Sequence, residues 1–269
     1  MACSLSKLID FDRIPERNAF CGKHGAYVSK NYIGSVWSSC PECAKEKDRL
    51  DKLDREREVR KRETDAWLAR IGESGIPPRF RGRGFDSFIQ AEGKTDAFIA
   101  AKTYADNFAE VLTKGRSLVF VGEPGVGKTH LACAIGLNAM QQGYSVIYTT
   151  VPKMMGRFSD TWRRESHERH SDVVGIYAGA DLLILDEIGM QLGLEHELVK
   201  LFEVINERYE RVKPTIVISN LDRDGTMEYL GGRIWDRLRE NGGALIAVRG
   251  QSMRGIRLVE GGNTHVAVQ

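Results

Sequence analysis

Eight consecutive residues, Gly122-Glu123-Pro124-Gly125-Val126-Gly127-Lys128-Thr129, carry the most specific chemistry in this sequence of 269 residues. The glycines let the chain curl with its N–H groups turned inward, where a Cβ would obstruct the curl. Inward N–H groups, a lysine and a hydroxyl together make a cradle for nucleotide phosphates. Lys128 then lies against the β and γ phosphates of ATP, and Thr129 offers its hydroxyl to Mg2+. A helix opening at Lys128 adds the positive end of its dipole, and His130 completes the nucleotide-binding set. The alternative is a glycine-rich turn matching by chance, but the flanks argue against it: an apolar strand, SLVFV, precedes the loop and a helical pattern follows.

A second half of the site follows at LLILDEIG. Asp186 ends a short apolar strand, which brings its carboxylate to the C-terminal edge of a sheet, beside the phosphate loop, where it can hold a Mg2+-bound water. Glu187 comes next and can orient and deprotonate the attacking water. Alone, the pair also reads as an ordinary polar strand end. Asn220 ends another strand, TIVISN, level with Asp186 if the strands are neighbours, and its amide can hold the lytic water or sense the γ-phosphate; Asn is also common at strand ends.

Cys21-x-x-His24 and Cys40-x-x-Cys43 form two ligand pairs separated by a short loop-rich stretch. Four such ligands suit tetrahedral Zn2+, and Tyr27, Val28, Ile33, Val36 and Trp37 supply a hairpin between the pairs. The region is too short for a core of its own, so metal contributes its folding energy. Free thiols beside a histidine are the alternative. Cys133 reads as a packing residue in the helix after the phosphate loop, and Cys3 as a terminal thiol.

The stretch KMMGRFSDTWRRESHERH at 153–170 carries Arg157, Arg163, Arg164 and Arg169 beside Phe158 and Trp162. Arginines neutralising phosphates next to a stackable ring suit single-stranded DNA. Met154, Phe158 and Trp162 are also spaced i,i+4, the pattern of an amphipathic helix packed inward, which favours core over stacking for the aromatics. The arginines are the better DNA candidates.

The elements that must position these groups alternate. Helical patterns near 95–113, 128–142, 152–170, 195–211 and 230–240 separate short apolar strands at 117–121, 145–150, 182–186, 215–219 and 244–248. This predicts an α/β fold whose parallel sheet is covered by helices on both faces. Before it, residues 45–70 alternate in charge and read as a solvated helix held by i,i+4 pairs, and GESGIPPRFRGRGF reads as a linker. The organisation predicted is a zinc module at 1–44, a charged helical linker at 45–75 and an ATPase domain at 76–269. A net charge of +2 neither demands nor excludes nucleic acid. No run is long and apolar enough for a membrane span and the N-terminus has no signal-peptide pattern, so no membrane partner and a cytoplasmic location are expected.

Taken together, GEPGVGKTH, LLILDEIG, IVISN and GGRIWDRL resemble the AAA+ ATPases of the DnaC helicase-loader family, whose relatives include IstB-like ATPases of transposition systems. The resemblance spans about residues 76–257 and includes the lead-in IPPRFRGRGFDSF. It implies that Arg237 is an arginine finger completing a neighbour's ATP site, with Arg233 and Arg239 as nearby candidates, and that Arg254 is a sensor arginine of the same chain. It implies a homo-oligomeric ring or spiral when ATP is bound, with the 153–170 stretch facing single-stranded DNA at its centre. It also implies an absent or vestigial helical lid. The cysteine-bearing N-terminus departs from the best-known loader and is similar to phage or prophage relatives, which leaves open whether that module meets helicase, DNA or another replication protein.

The function expected is ATP-dependent loading of a hexameric replicative helicase onto single-stranded DNA. An ATP-binding DNA-coating regulator of transposition is the alternative in the same class. A small-molecule kinase lacks an evident acceptor pocket and lid, and a non-hydrolysing DNA-binding adaptor has no use for Lys128, Asp186 and Glu187 together.

Overall fold

A computed structural model describes residues 14–33, 36–90, 93–163, 168–189 and 195–253. The chain divides into two compact units, Met1–Leu68 and Ala69–Gln269.

In the first unit, β1 (Glu16–Cys21), β2 (Gly25–Ile33) and β3 (Val36–Trp37) form an antiparallel sheet in that order. The expected hairpin between the ligand pairs is β2–β3, and β1 adds a strand with no counterpart in the sequence reading. Ser29 is buried beneath the sheet and donates its hydroxyl to Ser38 O, tying β2 to the segment after β3. Helix α1 (Pro41–Glu73) follows, and its Leu50 and Leu53 are exposed, as a solvated charged helix requires.

The second unit is a five-stranded parallel sheet in the order β5-β6-β7-β4-β8. Its strands are β4 (Leu118–Val121), β5 (Val146–Thr150), β6 (Leu182–Ile188), β7 (Thr215–Ser219) and β8 (Ala244–Ala247). Leu182 to Leu185 and Ile216 to Val217 are fully buried, which explains their unbroken apolar runs: a strand covered on both faces has no polar side to show. Helices α2 (Thr95–Asp106), α3 (Phe108–Lys114), α4 (Lys128–Gln141), α5 (Val151–Asp160), α6 (His170–Gly179), α7 (Glu195–Glu210) and α8 (Arg223–Arg239) connect and flank the strands. Val151, Met154 and Phe158 of α5 pack with Val173, Leu201, Ile205 and Trp235 in one core.

Three helical patterns differ from expectation. The 95–113 run divides at Asn107, whose backbone leaves the helical region. The 152–170 run ends at Asp160, and α6 begins only at His170. Helix α8 starts earlier than expected, at Arg223, and is broken at Gly231, where φ is +71°. The segment GRIWDRL therefore forms a helical piece of its own.

In this order β4 lies between β7 and β8, and β7 lies beside β6. The C-terminal ends of β4, β6 and β7 are thus adjacent, at the place where the strand order reverses and open α/β sheets bind their ligands.

Candidate nucleotide and metal sites

The loop after β4 depends on its glycines in two places where the surroundings leave no choice. Gly122 has φ +139°, and a Cβ there would come within 2.3 Å of Val248 O. Gly127 has φ +111° and faces the Phe88 ring, 2.8 Å from where a Cβ would stand. Helix α4 begins immediately afterwards, so the loop N–H groups and the helix N-terminus converge.

Lys128 is buried. Its ammonium donates to Gly122 O at 2.7 Å, Glu123 O at 2.8 Å and Asn220 Oδ1 at 2.9 Å. Thr129 donates its hydroxyl to Asp186 Oδ2 at 2.8 Å, and Tyr148 donates its phenol to the same oxygen at 2.8 Å. The Glu187 N–H closes on Asp186 Oδ1 at 2.7 Å. Lysine and hydroxyl from the start of α4, a carboxylate from β6 and an amide from just past β7 are therefore gathered at one end of the sheet.

Strand β6 does not end at Asp186 as expected; it continues to Ile188. Leu185 pairs with Val217 and Ile188 with Ser219, so two residues of β6, Asp186 and Glu187, oppose a single residue of β7. This is a bulge, and Glu187 sits in it with φ +62°. A β-strand would send consecutive side chains to opposite faces; the bulge re-aims them. A left-handed glutamate costs on the order of 1 kcal/mol, the kind of strain found at functional positions.

His130 lies against the 76–90 segment. Its Nε2 is 3.1 Å from Gly84 O and 3.2 Å from Ser87 Oγ, and its ring meets Phe88 edge-on. Burial lowers its pKa, which favours the neutral imidazole. On the other side of the loop, Met253 N–H donates to Gly125 O at 2.9 Å, and buried Lys94 donates to Gln251 O at 3.0 Å. Arg254 lies outside the described residues, one position beyond that anchor.

Arg237 donates through Nε to Asn206 Oδ1 at 2.7 Å, and its guanidinium lies over Phe202 and Tyr209, 4.7 and 5.5 Å from the ring centroids. Contacts to α7 thus hold it in one place. Arg233 and Arg239 are exposed.

The 153–170 stretch separates into core and surface. Met154 and Phe158 are fully buried, as the i,i+4 reading expects, but Trp162 is 69% exposed and has the Lys200 ammonium 4.4 Å from its ring centroid. The helix ends before Trp162, which frees it from the buried stripe. Arg157 is paired with Glu168 (Nε to Oε2, 2.9 Å). Arg163, exposed, lies 3.3 Å from Asp160, and Arg169 is exposed. Arg164 is outside the described residues.

In the first unit, Cys21 closes β1, His24 lies in the β1–β2 turn, and Cys40 and Cys43 stand at the start of α1. Their ligand atoms all lie within 4.8 Å of one another. The Cys21–Cys43 sulfurs are 3.5 Å apart, and His24 Nδ1 is 3.8, 3.6 and 3.3 Å from Cys21, Cys40 and Cys43. A tetrahedral ion with Zn–S of about 2.3 Å and Zn–N of about 2.0 Å needs edges of roughly 3.5–3.8 Å. The Cys21–Cys43 edge and the three His24 edges are close to that shape. The Cys21 thiol is lowered to about 6 by the backbone N–H groups of Lys23 and His24, which favours the ligating thiolate. Cys133 is buried, and burial raises its thiol, as a packing residue requires. Cys3 is outside the described residues.

Such a sheet, with a lysine-bearing glycine loop after the inner strand β4 and a carboxylate on β6, one strand away across β7, defines an ATP-binding protein with the AAA+ P-loop fold. A family model described as IstB-like ATP binding protein matches residues 50–257, and the chain belongs to that family. The chain is 34% identical over 170 residues to the replicative helicase loader DnaC of Buchnera aphidicola subsp. Acyrthosiphon pisum, covering 63% of this chain and 68% of that protein. It is 31% identical over 170 residues to DnaC of Escherichia coli strain K12, with the same coverage. Among solved structures, the DnaC helicase loader superposes with a TM-score of 0.57 at 21% identity, over 64% of this chain and all of that one. The replication initiator DnaA bound to AMPPCP and single-stranded DNA superposes with a TM-score of 0.54 at 24% identity, over 65% of this chain and 51% of DnaA. These two likenesses establish the fold. Among the described residues no helix is long and apolar enough to cross a membrane.

Proposed function

We propose that this chain loads a hexameric replicative helicase onto single-stranded DNA, using ATP that it binds within one subunit and hydrolyses with the help of a second. The observation that carries the ATPase part is the meeting of Lys128, Asn220, Thr129 and Asp186 within hydrogen-bonding distance at the C-terminal sheet edge. The phosphates take the loop N–H groups and Lys128. Thr129 and, through water, Asp186 would hold Mg2+, which would supply charge neutralisation to the phosphates. Glu187 orients and deprotonates the attacking water, Asn220 fixes its position, and Arg237 of a neighbouring copy stabilises the charge on the transferred group. Arg254 serves as the sensor of the same chain, and His130 with Glu123, Pro124 and Val126 completes the nucleotide's surroundings.

The relatives named replicative helicase loaders support the replication role and make the transposition alternative less favoured. Three functional regions follow from this reading: a zinc-binding module at 1–44, a charged helical linker at 45–75 and the ATPase domain at 76–269. Zinc in the Cys21–His24–Cys40–Cys43 site is structural, since four protein ligands leave no open position. Arg163, Arg164 and Arg169 neutralise DNA phosphates.

The test is ATP turnover by the full chain alone, with single-stranded DNA, and with a cognate hexameric helicase, together with helicase deposition on a single-stranded circle. Nucleotide-dependent deposition supports the reading. Turnover stimulated only by duplex DNA and indifferent to helicase contradicts it.

A further inference from the structure

Among the described residues, Tyr148 is the one whose side chain reaches the Asp186 carboxylate without belonging to any of the motifs of the site. It lies on β5, at the edge of the parallel sheet, in register with Ile184 of β6. Asp186 is two positions further along β6, on the same face, and such diagonal neighbours are within reach of a long aromatic side chain. The Tyr148 ring is buried, and its hydroxyl meets Asp186 Oδ2 at 2.8 Å, the oxygen that also accepts from Thr129.

The backbone of Tyr148 is held from outside the sheet. Its N–H donates to Ser74 O at 2.7 Å, and a Cβ on Gly75 would come within 2.4 Å of Tyr148 O. Gly75 has φ +75°, so the segment that follows α1 approaches β5 as closely as backbone can. Ser74 and Ile76 are buried there. The edge of the sheet is thereby covered at the very residue that touches Asp186.

We propose that Tyr148 is a positioning residue for the Asp186 carboxylate, fixing the orientation in which it receives hydrated Mg2+; this rests on the ATPase reading above. An aspartate carboxylate can turn about its terminal torsion unless its oxygens are held. Here Oδ1 is fixed by the Glu187 N–H and Oδ2 by two hydroxyls, Thr129 from the nucleotide loop and Tyr148 from the sheet. When Thr129 turns its oxygen to the metal, its proton still points to Asp186, and the Tyr148 hydroxyl sets the angle of the acceptor.

The experiment compares the full-length wild type with Tyr148→Phe, which deletes only the hydroxyl. Three quantities are read: ATP turnover as a function of Mg2+ concentration, ATP affinity in EDTA, and thermal melting without nucleotide. The Mg2+ concentration for half-maximal turnover rises about three- to tenfold, as expected for losing a hydrogen bond to a charged group. Metal-free ATP affinity stays within about twofold of wild type. An unchanged Mg2+ profile overturns the proposal. So does a loss of metal-free ATP binding in step with melting, which is the signature of a packing role. A wild type with no Mg2+-dependent turnover fails at the earlier step: it overturns the ATPase reading itself, whatever the variant does.

Discussion

Lys128 Nζ and Asn220 Oδ1 are 2.9 Å apart, although they are separated by 92 positions in the chain. The contact links the loop after β4 to the end of β7, its neighbour in the sheet. Lys128 is 4% exposed, and a buried ammonium is tolerable only with such a set of oxygen partners. In the function proposed, a γ-phosphate arriving at that ammonium also comes within reach of the Asn220 amide. The sheet order, not the local sequence, makes the two ends of the site respond to the same ligand.

Glu187 occupies the bulge of β6, and its role separates from that of its neighbour. Glu187→Gln retains the amide geometry and removes the base. ATP turnover falls at least about 100-fold while ATP affinity changes by no more than about twofold. Single-turnover kinetics with an independent binding measurement checks this.

The four-ligand cluster predicts one zinc per chain by elemental analysis. Cys40→Ser loses the metal, and the sheet of β1–β3 then melts at lower temperature or fails to form, because that unit has little apolar core. Phe20, Val28, Tyr32 and Val36 are all exposed and leave few side chains to hold it. ATP binding survives the substitution, since every residue of the nucleotide site lies in the second unit.

The arginines of 153–170 divide by partner. Arg157→Ala breaks the pair with Glu168 and lowers unfolding free energy by at most about 1 kcal/mol, as for a partly exposed pair. It leaves the salt dependence of DNA binding unchanged. Arg163→Ala and Arg169→Ala each weaken single-stranded DNA binding and reduce the slope of log K against log salt by about 0.7. Fluorescence anisotropy over a salt series distinguishes the two behaviours.

Burial of His130 lowers its folded pKa below the unfolded value of about 6.5. The unfolded chain therefore binds this proton more readily than the folded one. The contribution is fully present above pH 6.5 and is lost as pH falls toward the lower folded value. His130→Gln flattens the fall in melting temperature over that window, and melting curves between pH 5 and 8 show it.

The parallel strands were legible in the sequence because strands buried on both faces become unbroken apolar runs. LLIL at 182–185 and TIVIS at 215–219 announce themselves that way. The glycine–lysine loop and the Cys/His cluster were legible because the chemistry they suit demands fixed spacing. Strand β1 was not: ERNAFC is mostly exposed and has no buried face to set a period. The bulge at Glu187 was hidden because it arises from pairing with β7, not from local propensity. Trp162 fitted the i,i+4 stripe of Met154 and Phe158, yet the helix stops at Asp160, before it can be buried. Tyr148 carried no signal at all, for its hydroxyl finds Asp186 only across two paired strands.

The central claim is that one chain binds the nucleotide and another completes its hydrolysis. Mixing two inactive variants tests it most directly. Lys128→Ala cannot hold the phosphates, and Arg237→Ala cannot complete a neighbour's site. In a mixed assembly, however, an Arg237→Ala subunit supplies an intact loop to a Lys128→Ala subunit that supplies an intact arginine. Each variant alone is expected to have turnover near background, and an equimolar mixture to recover a substantial fraction of wild-type activity. A mixture that assembles yet stays as inactive as its components would contradict it.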